Sequence, residues 1–189
     1  SATFSVDENQ SAITTVIATD AEGDSVTFSI SGNELSITSA GILTFKTAPD
    51  YETKSSYTAT ITANDGINSV TQDITVSINN LNDNSPSFIS SASFSAAENQ
   101  KAIGTVVATD ADGDAVTYSV SGSELEITTA GVLTFKTAPD YETKTSYTAT
   151  VTATDGTNSS TQEITLSITN VDEAPLISSA STFTLNENV

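Results

Sequence analysis

Apolar and hydroxyl-bearing residues alternate along most of the chain with a period of two. Tyr57-Thr58-Ala59-Thr60-Ile61-Thr62-Ala63, Val26-Thr27-Phe28-Ser29-Ile30 and Ile74-Thr75-Val76-Ser77-Ile78 all follow this rule, and helical spacing is nearly absent. Alternation puts one face of an extended strand inward and the hydroxyl face outward. Thr, Val and Ile are also the residues that pack best on a pleated surface. The pattern predicts seven short strands in the first half, near 3–7, 13–18, 25–31, 34–38, 42–46, 56–64 and 70–79. Turn residues separate them: Ala21-Glu22-Gly23-Asp24, Ser31-Gly32-Asn33, Ala40-Gly41, Ala48-Pro49-Asp50 and Asp65-Gly66.

The same pattern then runs again. The block Thr-Phe-Lys-Thr-Ala-Pro-Asp-Tyr-Glu-Thr-Lys at 44–54 returns unchanged at 134–144, and Ala-Thr-Asp-Ala-Glu-Gly-Asp at 18–24 returns as Ala-Thr-Asp-Ala-Asp-Gly-Asp at 108–114. Phe4 and Phe94 lie one period apart, and Phe183 opens a third round. A fixed period near 90 in 189 residues predicts two domains, 1–84 and 85–174, and the start of a third at 175–189. Seven alternating strands with frequent turns predict tandem seven-stranded Ig-like Greek-key β-sandwiches, an all-β fold. The linker Asn79-Asn80-Leu81-Asn82-Asp83-Asn84-Ser85-Pro86 passes straight from one domain's last strand into the next domain's first.

Composition narrows what such a rod of domains could do. The chain carries 24 acids against five cations, all lysine, for a formal charge of −19, with no His and no Cys. A polyanion without Arg does not hold nucleic-acid phosphates. Without Cys and His, disulfides, thiolate chemistry and zinc sites are not expected. No signal peptide and no apolar run long enough to span a membrane is visible. The chain is expected to come from the middle of a longer protein. No base sits beside the abundant Ser and Thr, so an enzyme is not expected.

The acids of the repeated blocks fall at strand ends, in loops. Glu8 ends the first strand, Asp50 and Glu52 precede the sixth, and Asp83 lies in the linker between Asn82 and Asn84. In an extended loop, residues two apart point the same way, so Asp50 and Glu52 could face one ion. Asp110 and Asp112 follow the second strand of the second repeat, and Asp155 ends its sixth. Sandwich geometry would gather these seven carboxylates at one junction. Two of them at about 4 Å repel by about 4 kcal/mol at an effective dielectric of 20. Calcium takes oxygen ligands only, six to eight of them, so two or three Ca2+ are the expected counter-ions. Asp24 and Asp114 read as turn residues, and Tyr57 and Tyr147 as core.

These motifs, in order, resemble those of cadherin repeats: Glu-Asn-Gln, Ala-Thr-Asp-Ala-Asp-Gly-Asp, Asp-Tyr-Glu, Asn-Asp-Asn-x-Pro and Thr-Asp-Gly. The Thr/Ser-rich, Cys-free, Arg-free composition is most similar to short cadherin-like repeats of large bacterial surface proteins. The resemblance implies that Glu8 is shared by two ions and that Asp50 and Glu52 stand at an Asp-Arg-Glu motif. It implies further that Asn82 offers its amide oxygen, Asp83 its carboxylate and Asn84 its carbonyl, with Asp110, Asp112 and Asp155 contributed by the following repeat.

Asn80 departs from this pattern, standing where the family has Asp. The second junction holds Glu98, Asp140, Glu142, Asp172 and Glu173, with Asp172 matching either Asn82 or Asp83, and partial occupancy is expected there. Asp20, Glu22 and Asp65 lack an upstream partner. The expected function is a calcium-stiffened stalk or adhesion segment, extracellular or on the cell surface, whose partners are neighbouring repeats. The alternative is a calcium-dependent module recognising a polysaccharide or another adhesin.

Overall fold

The alternating segments form strands at nearly the expected positions. The computed structural model describes residues 1–175. In the first repeat β1 (Ala2–Asp7), β2 (Ala12–Thr15), β3 (Thr27–Ile30), β4 (Leu35–Ile37), β5 (Ile42–Phe45), β6 (Ser56–Asn64) and β7 (Ser69–Asn79) make two sheets. One has the order β1-β7-β6-β3 and the other β2-β5-β4. β1 runs parallel to β7, pairing Ala2 with Ile74 and Asp7 with Asn79. β6 pairs antiparallel with β7 along its whole length, from Ser56↔Ser77 to Asn64↔Ser69. The fold is therefore an Ig-like β-sandwich, as expected.

The second repeat repeats the layout with β8 (Ser87–Phe88), β9 (Ser93–Ala97), β10 (Ala102–Thr105), β11 (Ala108–Thr109), β12 (Thr117–Val120), β13 (Leu125–Ile127), β14 (Val132–Phe135), β15 (Ser146–Thr154) and β16 (Ser159–Thr169). Its sheets run β12-β15-β16-β9 and β10-β14-β13. β8 and β11 are short additions to the seven-strand plan. Among the described residues no helix is long and apolar enough to cross a membrane.

Each sandwich closes on the inward residues of the alternation. Leu35, Leu43, Phe45, Ile61, Ile74, Val76 and Ile78 form one core. Leu125, Leu133, Phe135, Val151, Ile164, Leu166 and Ile168 form the other, joined by Ala96 and Val106. Each such side chain taken out of water stabilises the fold by about 1.5–3 kcal/mol. Tyr57 sits at the core's margin, its ring edge-on to Phe45 with centroids 5.0 Å apart, and Tyr147 does the same on Phe135 at 5.0 Å.

The second strand stops short of the expected 13–18, at Thr15. Its pairing with β5 shifts register between Ala12 and Thr14. Val16 then turns its N–H to the Gly41 carbonyl at 2.8 Å. Gly41 has φ 85°, and a Cβ there would come 2.1 Å from the Val16 carbonyl oxygen. Only glycine fits this approach. Gly131 repeats it against Val106.

The chain divides into two compact units. The first takes in residues 1–87 together with two loops, 109–116 and 154–159; the second comprises, among the described residues, 88–108, 117–153 and 160–175. The third round of the repeat lies, from residue 176 on, outside the described residues.

Candidate metal centre

Glu8 is the buried centre of the first unit's acidic cluster. It is 3% exposed, as is its counterpart Glu98. One Glu8 oxygen accepts the Tyr51 N–H at 2.7 Å and the other accepts the Leu81 N–H at 2.8 Å. The carboxylate thereby ties the loop before β6 to the linker after β7. Hydrogen bonds of this charge-assisted kind hold a buried carboxylate that would otherwise be costly.

Around Glu8 the acids converge. Glu8, Glu52 and Asp83 each bring an oxygen within 4.8 Å of the others. Desolvation pushes the Glu52 carboxyl above its ordinary value, and the charges of Glu8, Asp112 and Asp50 push it further the same way. Asp110, Asp112 and Asp114 form a second group on the 109–116 loop, again within 4.8 Å. Asp110 Oδ1 accepts the Asp112 N–H at 3.0 Å, and the loop curls around it. Asp114, expected only as a turn residue, therefore also faces the group.

Asparagine amides run between the acids. Asn84 Nδ2 donates to Asp112 Oδ1 at 2.8 Å, to Asp83 Oδ1 at 2.9 Å and to Glu52 Oε2 at 3.2 Å. The N–H groups of Asn84 and Asp83 donate to Asp112 Oδ2 at 2.9 and 3.1 Å. Desolvation alone would raise Asp112, but these donors outweigh it and hold its carboxyl below the usual range. Asn80, standing where the family pattern has Asp, donates instead to the Asp112 carbonyl at 2.8 Å.

Asp155 is held in a turn. Its Oδ1 accepts the N–H of Thr157 and of Asn158, each at 2.6 Å. Desolvation works upward on it, and those two N–H groups bring the carboxyl below its ordinary value. Its other oxygen, Oδ2, is buried and has no hydrogen-bond donor, and the same holds for Asp110 Oδ2. The lysines do not neutralise this region: Lys54 pairs with Glu34 at 2.6 Å and Lys144 with Glu124 at 2.8 Å. Oxygen-only donors, excess negative charge and two buried oxygens lacking a donor fit a hard cation such as Ca2+.

One local expectation needs correcting. The segment 50–52 is not extended. Lys54 N–H returns to the Asp50 carbonyl at 2.9 Å, and Thr53 donates both its N–H (3.2 Å) and its hydroxyl (3.0 Å) to the Asp50 carboxylate. Asp50 thus caps a turn, while Glu52 alone joins Glu8 and Asp83 in one oxygen cluster. Asp140 is occupied in the same way by Thr143.

A third acidic group, built on Glu98, lies in the second unit. Glu98 accepts the N–H of Tyr141 and of Val171, each at 2.8 Å. Glu98, Glu142 and Glu173 converge within 4.8 Å. Asn9 donates its side-chain amide to Asp83, and Asn99 donates to Glu173 at 2.5 Å. The parallel fixes the register that the sequence left open: Glu173 stands for Asp83, Asp172 for Asn82, and Ala174 for Asn84. At the other end, Asp20 accepts the N–H groups of Glu22 and Asp24 at 3.0 Å, and Asp65 accepts those of Ile67 and Asn68 at 2.7 and 2.6 Å. Asp20 and Asp65 therefore cap turns.

Sequence reasoning missed three amides. Among the described residues, Asn9 and Asn99 are the non-glycine residues with positive φ, 65° and 61°. Their place in the repeated Glu-Asn-Gln motif was a signal, because Asn tolerates that backbone region better than most residues. Asn158, which follows the repeated Asp-Gly turn, reaches the linker carbonyls.

Known proteins are similar to this chain in sequence and in fold. A family model described as Bacterial Ig domain matches residues 82–169. Protocadherin Fat 4 of Mus musculus is 37% identical over 142 residues, 66% of this chain and 3% of that protein. Cadherin-23 of Homo sapiens is 31% identical over 160 residues, 77% of this chain and 5% of that protein. The chain thus spans only a few per cent of these relatives' length. Among solved structures, mouse Cadherin-23 EC22-24 aligns with a TM-score of 0.76 at 22% identity, over 89% of this chain and 63% of that one. Human Protocadherin-24 EC1-2 aligns at 0.74 and 23% identity, over 91% and 94%.

Fold and acidic loops together define a tandem of Ig-like sandwiches with a carboxylate-rich linker. The tandem is made of cadherin-like repeats.

Proposed function

We propose that the chain is a calcium-binding segment of a cell-adhesion or stalk protein, in which cations fix the linker between consecutive repeats. The observation that carries this reading is the pair of buried, donor-free oxygens, Asp110 Oδ2 and Asp155 Oδ2, beside a lysine-free acidic cluster. Glu8, Glu52, Asp83, Asp110, Asp112 and Asp155 would hold the ions, with Asn82 Oδ1 and the Asn84 carbonyl, and with Asp50 once its turn opens. Glu98, Glu142 and Glu173, with Asp140 and Asp172, would form a second, weaker set.

A bound calcium ion would supply positive charge and take six to eight oxygen ligands. The chain's own part is to bring carboxylates from the repeat's body, its linker and the loops 109–116 and 154–159 to one place. On a secreted or surface protein, affinities in the range about 10⁻⁴–10⁻³ M would suffice to keep such sites filled. The Bacterial Ig domain match and the Thr/Ser-rich composition support a bacterial surface protein as the parent.

Calorimetry of calcium into the chelator-stripped chain, with small-angle scattering in both states, tests the reading. Two or three sites, a more extended and stiffer particle with calcium, and loss of the tightest sites in Asp83→Ala are expected. No heat and an unchanged scattering profile would overturn it.

A further inference from the structure

The 154–158 turn carries a hydrogen-bond donor where the cluster is short of positive charge. Asn158 Nδ2 lies 2.8 Å from Asn82 Oδ1, 3.2 Å from the Asn84 carbonyl and 3.3 Å from the Asn82 carbonyl. All belong to the first compact unit. An amide has two hydrogens, so three acceptors share them. The backbone of Asn158 is pinned on both sides: its N–H donates to Asp155 Oδ1 at 2.6 Å, and its carbonyl accepts the Thr154 hydroxyl at 2.7 Å. Only its side chain can move without breaking the turn.

The oxygens that Asn158 occupies are two of those assigned above to a cation, Asn82 Oδ1 and the Asn84 carbonyl. The two acidic oxygens left without a donor, Asp110 Oδ2 and Asp155 Oδ2, belong to the same proposed set of cation ligands. One amide group therefore satisfies the neutral oxygens of the set and leaves Asp110 Oδ2 and Asp155 Oδ2 without a donor. We propose that Asn158 is a latch: its amide holds the linker to the 154–158 turn when no cation is present, and it must release Asn82 and Asn84 before a cation can bind there. The inference rests on the calcium reading and names a residue that sets the affinity of that site.

The equivalent residue of the first repeat shows the difference. Asn68 turns its amide onto its own Asp65, 3.4 Å away. It has no part in the 82–84 linker and serves as a control.

Two measurements test the latch. Calorimetric titration of calcium into the whole chain compares the parent with Asn158→Ala and Asn68→Ala. Loss of a net hydrogen bond of ordinary strength predicts about fivefold tighter binding at one site in Asn158→Ala, with Asn68→Ala like the parent. Nuclear magnetic resonance on the chelated parent chain should show the Asn158 side-chain amide protons protected from exchange, and added calcium should abolish the protection. Calcium heat that is unchanged or weakened in Asn158→Ala overturns the latch while leaving the calcium reading intact. Rapid exchange of those protons in chelator also overturns it. No calcium heat in the parent brings down the calcium reading, and the competition with it; protected protons in that same chain would show the hydrogen bonds themselves to be real.

Discussion

The Glu8 carboxylate accepts the Leu81 amide proton at 2.8 Å, across 73 residues of sequence. Its second oxygen takes the Tyr51 N–H. Replacing Glu8 with Ala leaves the Tyr51 and Leu81 N–H groups without their carboxylate partner and empties the space of a buried side chain. A loss of about 2–4 kcal/mol is expected even with chelator present. Chemical denaturation in chelator measures it. Glu98→Ala should behave alike in the second unit, and no loss in either variant would mean the clamp contributes nothing without metal.

Two glycines separate steric from conformational cost. Gly41→Ala drives a Cβ into the Val16 carbonyl, whereas Gly32, at φ 83°, has nothing within 4 Å of that position. Gly32→Ala should cost about 1–2 kcal/mol, the price of a left-handed backbone for a residue with Cβ. Gly41→Ala should cost clearly more, because the backbone must move as well. Equal midpoints in urea would contradict the close approach.

Acid should first help and then harm the chelated chain. Glu52 is raised, so its contribution is present below its unfolded value and is lost as pH rises through its folded value. Asp112 and Asp155 are lowered; their contributions are present above their unfolded values and are lost as pH falls through their folded values. Stability of the calcium-free chain should therefore rise as pH falls through the upper carboxylate range and drop again below it. Glu52→Gln should remove much of the rise. A monotonic fall from neutral pH, unaltered in that variant, would contradict the assignment.

The two acidic groups should bind calcium unequally. The first has Asn84 and the loops 109–116 and 154–159 around it, whereas the second has Ala174 in place of Asn84. Glu173→Ala should remove only the weaker class of sites in a calcium titration. Loss of the tighter class in that variant would reverse the ranking.

The strands were legible because alternation is written residue by residue: Thr58 through Ala63 state inward and outward with no help from the rest of the chain. The acids at strand ends were legible for a similar reason, since a strand's end fixes where Glu8 or Asp83 emerges. Asp50 was not, because Thr53 competes locally for its carboxylate and converts an extended loop into a turn. The amides were least legible. Whether Asn9, Asn84 or Asn158 presents its oxygen or its nitrogen depends on neighbours brought in from 28 to 76 residues away, and periodicity carries no trace of that choice. The register of the second linker became plain only once Asn9 and Asn99 could be compared.

Glu8 and Glu98 hold their linkers by main-chain atoms alone. Leu81 and Val171 differ in side chain, yet both present the same N–H at 2.8 Å. A joint that reads only the backbone is indifferent to most substitutions at the position it grips. Copies of this repeat could differ in side chain at the gripped position, as Leu81 and Val171 do, and keep the same hold, so long as the glutamate and the spacing survive.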